Sequence, residues 1–269
     1  MAANNSFIGV FDSGIGGLTV VKSIVESMPN ENIIYFGDTA HVPYGTRSKR
    51  QVTEYVLQDV KFLSTFDIKA IVIACNTADS VARASVEAQY DLPVFGVVDP
   101  ASKRAAETTK NGKIGIMATK ATIASHAYDA AIAKYNANAK VFGMACPLLV
   151  PLVENGRFKP GDIVIETVLR EYMDPLISEG VDTVVLGCTH YPLLEDIIRG
   201  LYPEINIISS SVAAADELKR RLEEEELLST DEGSDRKYFV SDDADSFLRQ
   251  ALIFMGDELG GNVEQVELD

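Results

Sequence analysis

No apolar run in this 269-residue sequence is long enough to cross a bilayer, and no secretory signal opens it, so the expectation is a cytoplasmic protein. Cysteine is scarce: three occur, an odd number that offers no disulfide framework and that a reducing compartment would keep as free thiols. Histidine is equally scarce, and Cys188 with His190 is the only closely spaced pair of metal-ligand types. It has no partner motif, which argues against a structural zinc site. Positive charge is in deficit, with 24 Lys and Arg against 40 Asp and Glu and a net charge of −16. Such a balance disfavours nucleic acid and anionic membranes as partners. The acidic cluster from Glu223-Glu224-Glu225-Glu226 to Asp231, Glu232 and Asp235 reads as a solvated helix end, with docking of a basic partner as the sharper alternative. There is no long low-complexity linker and no complete P-loop.

What is present is regular alternation. Short apolar runs at Phe7–Phe11, Ile33–Phe36, Ala70–Ala74, Val94–Val97, Lys113–Ala118, Lys140–Met144, Thr183–Leu186, Ile205–Ile208 and Lys237–Val240 predict strands. Amphipathic stretches lie between them, such as Leu18, Val21, Val25 and Met28, or Leu194, Ile197, Ile198 and Leu201. Ser48-Lys49-Arg50-Gln51 reads as a capping box, and Asp99-Pro100 as an N-cap followed by proline at the first helical position. Strands alternating with helices imply an α/β fold with mostly parallel sheets flanked by helices. The expected division is two similar lobes, residues 1–98 with 208–269 and residues 99–207, with the site in the cleft between them.

Two segments carry the chemistry. Ala74-Cys75-Asn76-Thr77-Ala78 and Gly187-Cys188-Thr189-His190-Tyr191-Pro192 each follow a buried strand and precede a helical pattern. A strand end opening onto a helix N-terminus can hold an anion, and its field favours a thiolate. A free cysteine is more often a small buried hydrophobe. Against that stand the polar neighbours Asn76, Thr77, Thr189 and His190, supplied twice over. Cys146 lacks such neighbours and is assigned to packing. Phe11-Asp12-Ser13-Gly14-Ile15-Gly16-Gly17-Leu18 fails the dinucleotide spacing because Thr19 stands at the last glycine position, and a carboxylate in its mouth would repel phosphate. Asp12 suits an amino group or a thiol better, with a backbone-satisfying turn residue as the plain alternative. Gly37-Asp38-Thr39-Ala40-His41-Val42-Pro43-Tyr44-Gly45 could hydrogen-bond a carboxylate through Tyr44 and the Gly45 N–H, or could be structural.

Together, the Asp12 loop, Gly37-Asp38-Thr39 with Pro43-Tyr44-Gly45, and the two cysteine segments resemble the glutamate racemases of the aspartate/glutamate racemase superfamily, over nearly the whole chain. The resemblance implies two α/β lobes, a homodimer, and cofactor-independent interconversion of L- and D-glutamate that supplies D-glutamate for peptidoglycan. It implies that Cys75 deprotonates D-glutamate with help from Asp12, and that Cys188 deprotonates L-glutamate with help from His190 and Glu154. Asp12, Ser13, Tyr44, Gly45, Asn76, Thr77, Thr119, Thr189 and His190 would bind substrate. No metal and no cofactor are implied. Two departures stand out: His41 where relatives commonly carry Arg, and Ser209-Ser210-Ser211 where an Asp-Ser pair is frequent. The competing readings are an aspartate or hydantoin racemase, and a binding protein that merely retains the fold.

Overall fold

The computed structural model describes residues 5–230, 232–259 and 262–268, with the side chains of all of these but 257 and 258. Asp231 of the acidic cluster lies outside the described residues. Among the described residues ten strands run in chain order as β1 (Phe7–Asp12), β2 (Ile33–Gly37), β3 (Ile68–Ile73), β4 (Val94–Gly96), β5 (Lys113–Ala118), β6 (Lys140–Ala145), β7 (Thr183–Gly187), β8 (Asn206–Ser209), β9 (Arg236–Val240) and β10 (Val263–Gln265). The helices between them are α1 (Leu18–Ser27), α2 (Lys49–Leu63), α3 (Asn76–Glu87), α4 (Val98–Thr108), α5 (Lys120–Ser125), α6 (Ala127–Tyr135), α7 (Leu149–Glu154), α8 (Ile163–Ser178), α9 (Glu195–Leu201), α10 (Ser210–Glu224) and α11 (Ala244–Met255). Among the described residues no helix is long and apolar enough to cross a membrane.

The strands form two sheets, one ordered β10-β9-β2-β1-β3-β4 and the other β6-β5-β7-β8. Every strand pair is parallel. Helices on both faces of a parallel sheet bury its strands on both sides, which is why they read as continuous apolar runs. β3 shows the rule and its exception: all six residues are buried, including Lys69. Its ammonium lies 2.6 Å from Glu31 and donates to the Leu227 carbonyl at 2.7 Å, so the charge is compensated rather than left bare.

Each predicted strand is found, with ends shifted by a residue or two, and β10 is an addition. The Ser48 cap is also found, its hydroxyl accepting the Gln51 N–H at 3.3 Å at the head of α2. The cap at Asp99 is not. α4 begins two residues earlier than Pro100, at Val98, with Val97 at the N-cap position, and the Val97 and Val98 N–H groups donate at 2.8 and 2.7 Å to the buried Asp79 carboxylate of α3. Gly96 permits this approach, since a Cβ there would fall 2.0 Å from Asp79 Oδ1. Asp99 instead accepts from Lys134 and Tyr135 of α6. In the acidic cluster, Glu224 and Glu225 pair with Arg220 and Arg221 one turn back, an ordinary exposed helix face.

Candidate active site

β3 runs into Cys75, which occupies the N-cap of α3. The Sγ lies 3.6 Å from Ser13 Oγ and also receives the Ala78 and Ser13 N–H groups. These contacts favour the thiolate, as expected at a helix start. They are outweighed: burial, reinforced by the Asp12 carboxylate, pushes the Cys75 thiol up to about 12. The expected lowering is therefore overturned, because removing a charge from water costs more than one helix end returns. β7 delivers Cys188 in the same way, and burial again pushes the thiol up, against a His190 N–H contact and with Cys75 and Asp12 adding repulsion. After Cys188 the chain forms a 3-10 turn at Tyr191–Leu194 before α9, so here the helix is delayed.

Behind Cys188 stands a line of three groups. His190 Nδ1 lies 3.9 Å from Cys188 Sγ, and His190 Nε2 lies 2.9 Å from Glu154 Oε1 at the end of α7. A carboxylate on Nε2 holds the proton there and leaves Nδ1 to face the thiol. The Phe254 ring meets the imidazole edge-on at 5.5 Å and fixes its plane.

Asp12, at the tip of β1, lies between the two thiols electrostatically: its charge raises both. Its Oδ1 accepts the Gly14 N–H at 3.0 Å, and its Oδ2 accepts the Thr189 hydroxyl at 3.4 Å. The carboxylate thus holds its own turn and reaches the Cys188 segment at once. Burial raises the Asp12 carboxyl, and His190 opposes the rise. Two glycines of this loop, Gly16 and Gly17, are needed for space. A Cβ on Gly17 would fall 2.4 Å from Asp12 Cβ, and one on Gly16 would fall 2.3 Å from Thr189 Oγ1.

The remaining predicted residues fall into two groups. Thr77 Oγ1 lies 2.9 Å from Thr119 Oγ1 and 3.2 Å from Thr122 Oγ1, joining the start of α3 to the start of α5. Gly45 packs against the same Thr119, where a Cβ would come within 2.9 Å. Asn76 accepts from Tyr128 at 2.6 Å and donates to Ser210 Oγ at 3.4 Å. The Tyr44 hydroxyl lies 2.6 Å from Asp38 Oδ2 and 3.0 Å from Asp59 Oδ2, so two carboxyls engage it. Cys146 donates to the Met144 carbonyl and is buried in packing. Of the two departures, His41 lies 2.9 Å from both Asp38 oxygens and stacks on Tyr55, while Ser209 caps α10.

Sequence reasoning missed several positioning groups. Thr19 donates to the Thr189 carbonyl at 2.8 Å and lies 2.9 Å from Ser211 Oγ, tying α1 to the Cys188 segment. Ser210 donates to the Leu186 carbonyl at 2.9 Å while meeting Asn76, so a short path links the two cysteine strands. Nothing local marks Thr19 as different from an ordinary helix residue, and Ser210 and Ser211 stand out only as a departure from relatives, not as links between the two cysteine segments. Among the described residues no group of three or more His, Cys, Asp or Glu side chains is arranged to hold a metal ion.

The chain is similar to known proteins over its length. A family profile described as Asp/Glu/Hydantoin racemase matches residues 8–218. A glutamate racemase from Persephonella marina is 42% identical over 261 residues, covering 97% of each chain. One from Neisseria meningitidis is 45% identical over 263 residues, covering 97% of this chain and 95% of the relative. Among solved structures, glutamate racemase isoform RacE1 from Bacillus anthracis superposes with a TM-score of 0.91 at 37% identity, covering 99% of this chain and 98% of that one. The Francisella tularensis glutamate racemase in complex with D-glutamate gives 0.88 at 34% identity, with the same coverage. With two parallel sheets bringing a pair of strand-end thiols to one carboxylate, and with likeness of this extent, the chain belongs to the glutamate racemase family, within the Asp/Glu/Hydantoin racemases.

Proposed function

We propose that this enzyme interconverts L- and D-glutamate without a cofactor, Cys75 and Cys188 acting on opposite faces of the α-carbon. The observation that supports the reading is a pair of buried strand-end thiols that both feel the Asp12 charge, with His190 3.9 Å from Cys188 and backed by Glu154; Asp12 would serve Cys75 as proton acceptor, and His190 would serve Cys188. From the L side, Cys188 gives its proton to His190 and the thiolate takes the α-proton. Cys75 then delivers its proton to the other face, leaving D-glutamate, a Cys188 thiol, a Cys75 thiolate and a protonated His190; loss of the His190 proton to solvent and uptake of one by Cys75 restore the starting state. The reverse direction begins with transfer from Cys75 to Asp12.

Burial has two consequences for this chemistry. Each unit by which a thiol's pKa exceeds the ambient pH costs about 1.4 kcal/mol to form the thiolate. The same rise makes the thiolate a stronger base, which a weakly acidic α-proton requires. The substrate ammonium, arriving beside Asp12 and the thiols, would supply an opposite charge that favours their ionised forms. Asp12, Ser13, the backbone of the Tyr44–Gly45 turn, Asn76, Thr77, Thr119, Thr189 and His190 would hold the substrate. The α-carboxylate would lie among N–H and hydroxyl donors, which stabilise the charge that builds up when the proton leaves. Lobes divided as 1–98 with 208–269 and 99–207 would close over it. A cytoplasmic homodimer supplying D-glutamate to cell-wall synthesis fits the same reading.

Incubation of the purified protein with L-glutamate, followed by chiral analysis, tests the proposal, with aspartate and hydantoins run in parallel. D-glutamate should accumulate to an even mixture. Turnover of aspartate or hydantoin with none of glutamate would overturn the substrate assignment.

A further inference from the structure

Asp59 is a fully buried carboxyl on α2 that the proposed reaction does not use. It shares one hydroxyl with a second fully buried carboxyl, Asp38: Tyr44 Oη lies 2.6 Å from Asp38 Oδ2 and 3.0 Å from Asp59 Oδ2. A tyrosine has one proton and can donate to only one of them. Asp38 is richly supplied, with Ser241 Oγ at 2.8 Å and His41 Nδ1 at 2.9 Å. Asp59 is poorly supplied, and its Oδ1 is buried with no hydrogen-bond partner. A charged carboxylate in that state would be costly; a neutral acid would not. Burial holds the Asp59 carboxyl well above the usual range, with the neighbouring Asp38 and Asp12 carboxyls acting in the same direction.

We propose that Asp59 works as a neutral acid that donates its proton to the Tyr44 oxygen while Tyr44 donates to Asp38, and that this directed chain holds the Tyr44–Gly45 turn in place for substrate binding. The turn packs on Thr119, at the N-cap of α5, beside the Thr77 contact from α3. Asp59 is thus a positioning residue, acting through Tyr44 on substrate affinity and not on proton transfer. The inference rests on the reading that this turn holds glutamate.

The test compares wild type, Asp59→Asn, Asp59→Leu and Tyr44→Phe for KM and kcat in both directions, together with infrared difference spectra of wild type against Asp59→Asn at neutral pH. The asparagine amide keeps a donor toward Tyr44, so its KM should stay within about twofold of wild type. Asp59→Leu and Tyr44→Phe should raise KM by about tenfold or more with kcat changed far less. The spectrum should show a protonated-carboxyl band in wild type that is lost in Asp59→Asn, a readout that holds even if the leucine variant does not fold. Asp59→Asn as impaired as Asp59→Leu, an unchanged KM in a folded Asp59→Leu, or absence of the band would each overturn the proposal. If wild type fails to racemise glutamate, the functional reading falls, while the infrared band still decides the protonation of Asp59.

Discussion

Gly16 lies directly against Thr189, so close that a methyl group on it would sit 2.3 Å from the threonine hydroxyl and 2.5 Å from His190 Nδ1. The backbone of Gly16 is not in the left-handed region, so alanine meets no conformational penalty there and the obstacle is spatial. Gly16→Ala should therefore fold yet displace Thr189 and His190, lowering kcat/KM by about tenfold or more, about 1.4 kcal/mol of transition-state stabilisation. Circular dichroism and steady-state rates on one preparation check this. A fully active variant would mean that the two loops separate during turnover.

The raised thiols give a pH dependence of definite sign. Cys75 moves from an ordinary 9.0 to about 12 on folding, so it contributes stability that is complete below pH 9 and is lost as the pH rises toward 12. The stability difference between wild type and Cys75→Ala, measured by denaturant titration, should change in that window in the direction of wild type losing ground. Alkylation of the free enzyme should be slow at neutral pH and accelerate with pH over the same range, and glutamate should protect. Cys146→Ala should retain substantial turnover. A fast, pH-independent alkylation of Cys75 would contradict the buried, protonated state.

His190 and Glu154 should act on one direction of the reaction. His190→Asn removes the acceptor 3.9 Å from Cys188 and should slow proton removal from L-glutamate more than from D-glutamate. Glu154→Gln should follow the same pattern more weakly, since it removes only the partner on Nε2. Exchange of the α-proton with solvent, followed for each isomer, separates the two directions. Equal loss in both would assign His190 to general binding.

Separate bases predict an isotopic asymmetry. In heavy water at early conversion, D-glutamate formed from L-glutamate should carry solvent deuterium, while the remaining L-glutamate carries almost none. Extrapolation to zero conversion removes the effect of thiol exchange with solvent. Deuterium appearing equally in both isomers at that limit would remove the distinction between Cys75 and Cys188.

The strands were legible because parallel sheets covered on both faces need apolar residues at every position, as in Ile71-Val72-Ile73. β10 was not: three residues, two of them exposed, leave no such signal. The thiols stood out because polar residues at a strand end break the apolar pattern. Glu154 carried no sign of its own and came only from family resemblance, since its partner His190 is 36 positions away. Long-range hydrogen bonds defeat local reading generally. Asp79 caps α4 from α3, so the local cue at Asp99-Pro100 pointed to the wrong residue. A sequence likewise does not reveal that Asp38 and Asp59 both engage the Tyr44 hydroxyl.

The first sheet is completed late. β9 pairs with β2, Ile33 against Arg236 through Gly37 against Val240, and Ser241 just beyond it holds the Asp38 carboxylate. During synthesis, a nascent chain has already released all four strands of the second sheet before β9 leaves the ribosome. The second sheet can thus assemble while β2 still presents an unpaired edge, the exposed backbone on which nascent chains associate wrongly. The Asp38–Tyr44 contact gains its Ser241 partner only after β9 has emerged, so the surroundings of the Tyr44–Gly45 turn are completed in one late step rather than in step with the growing chain.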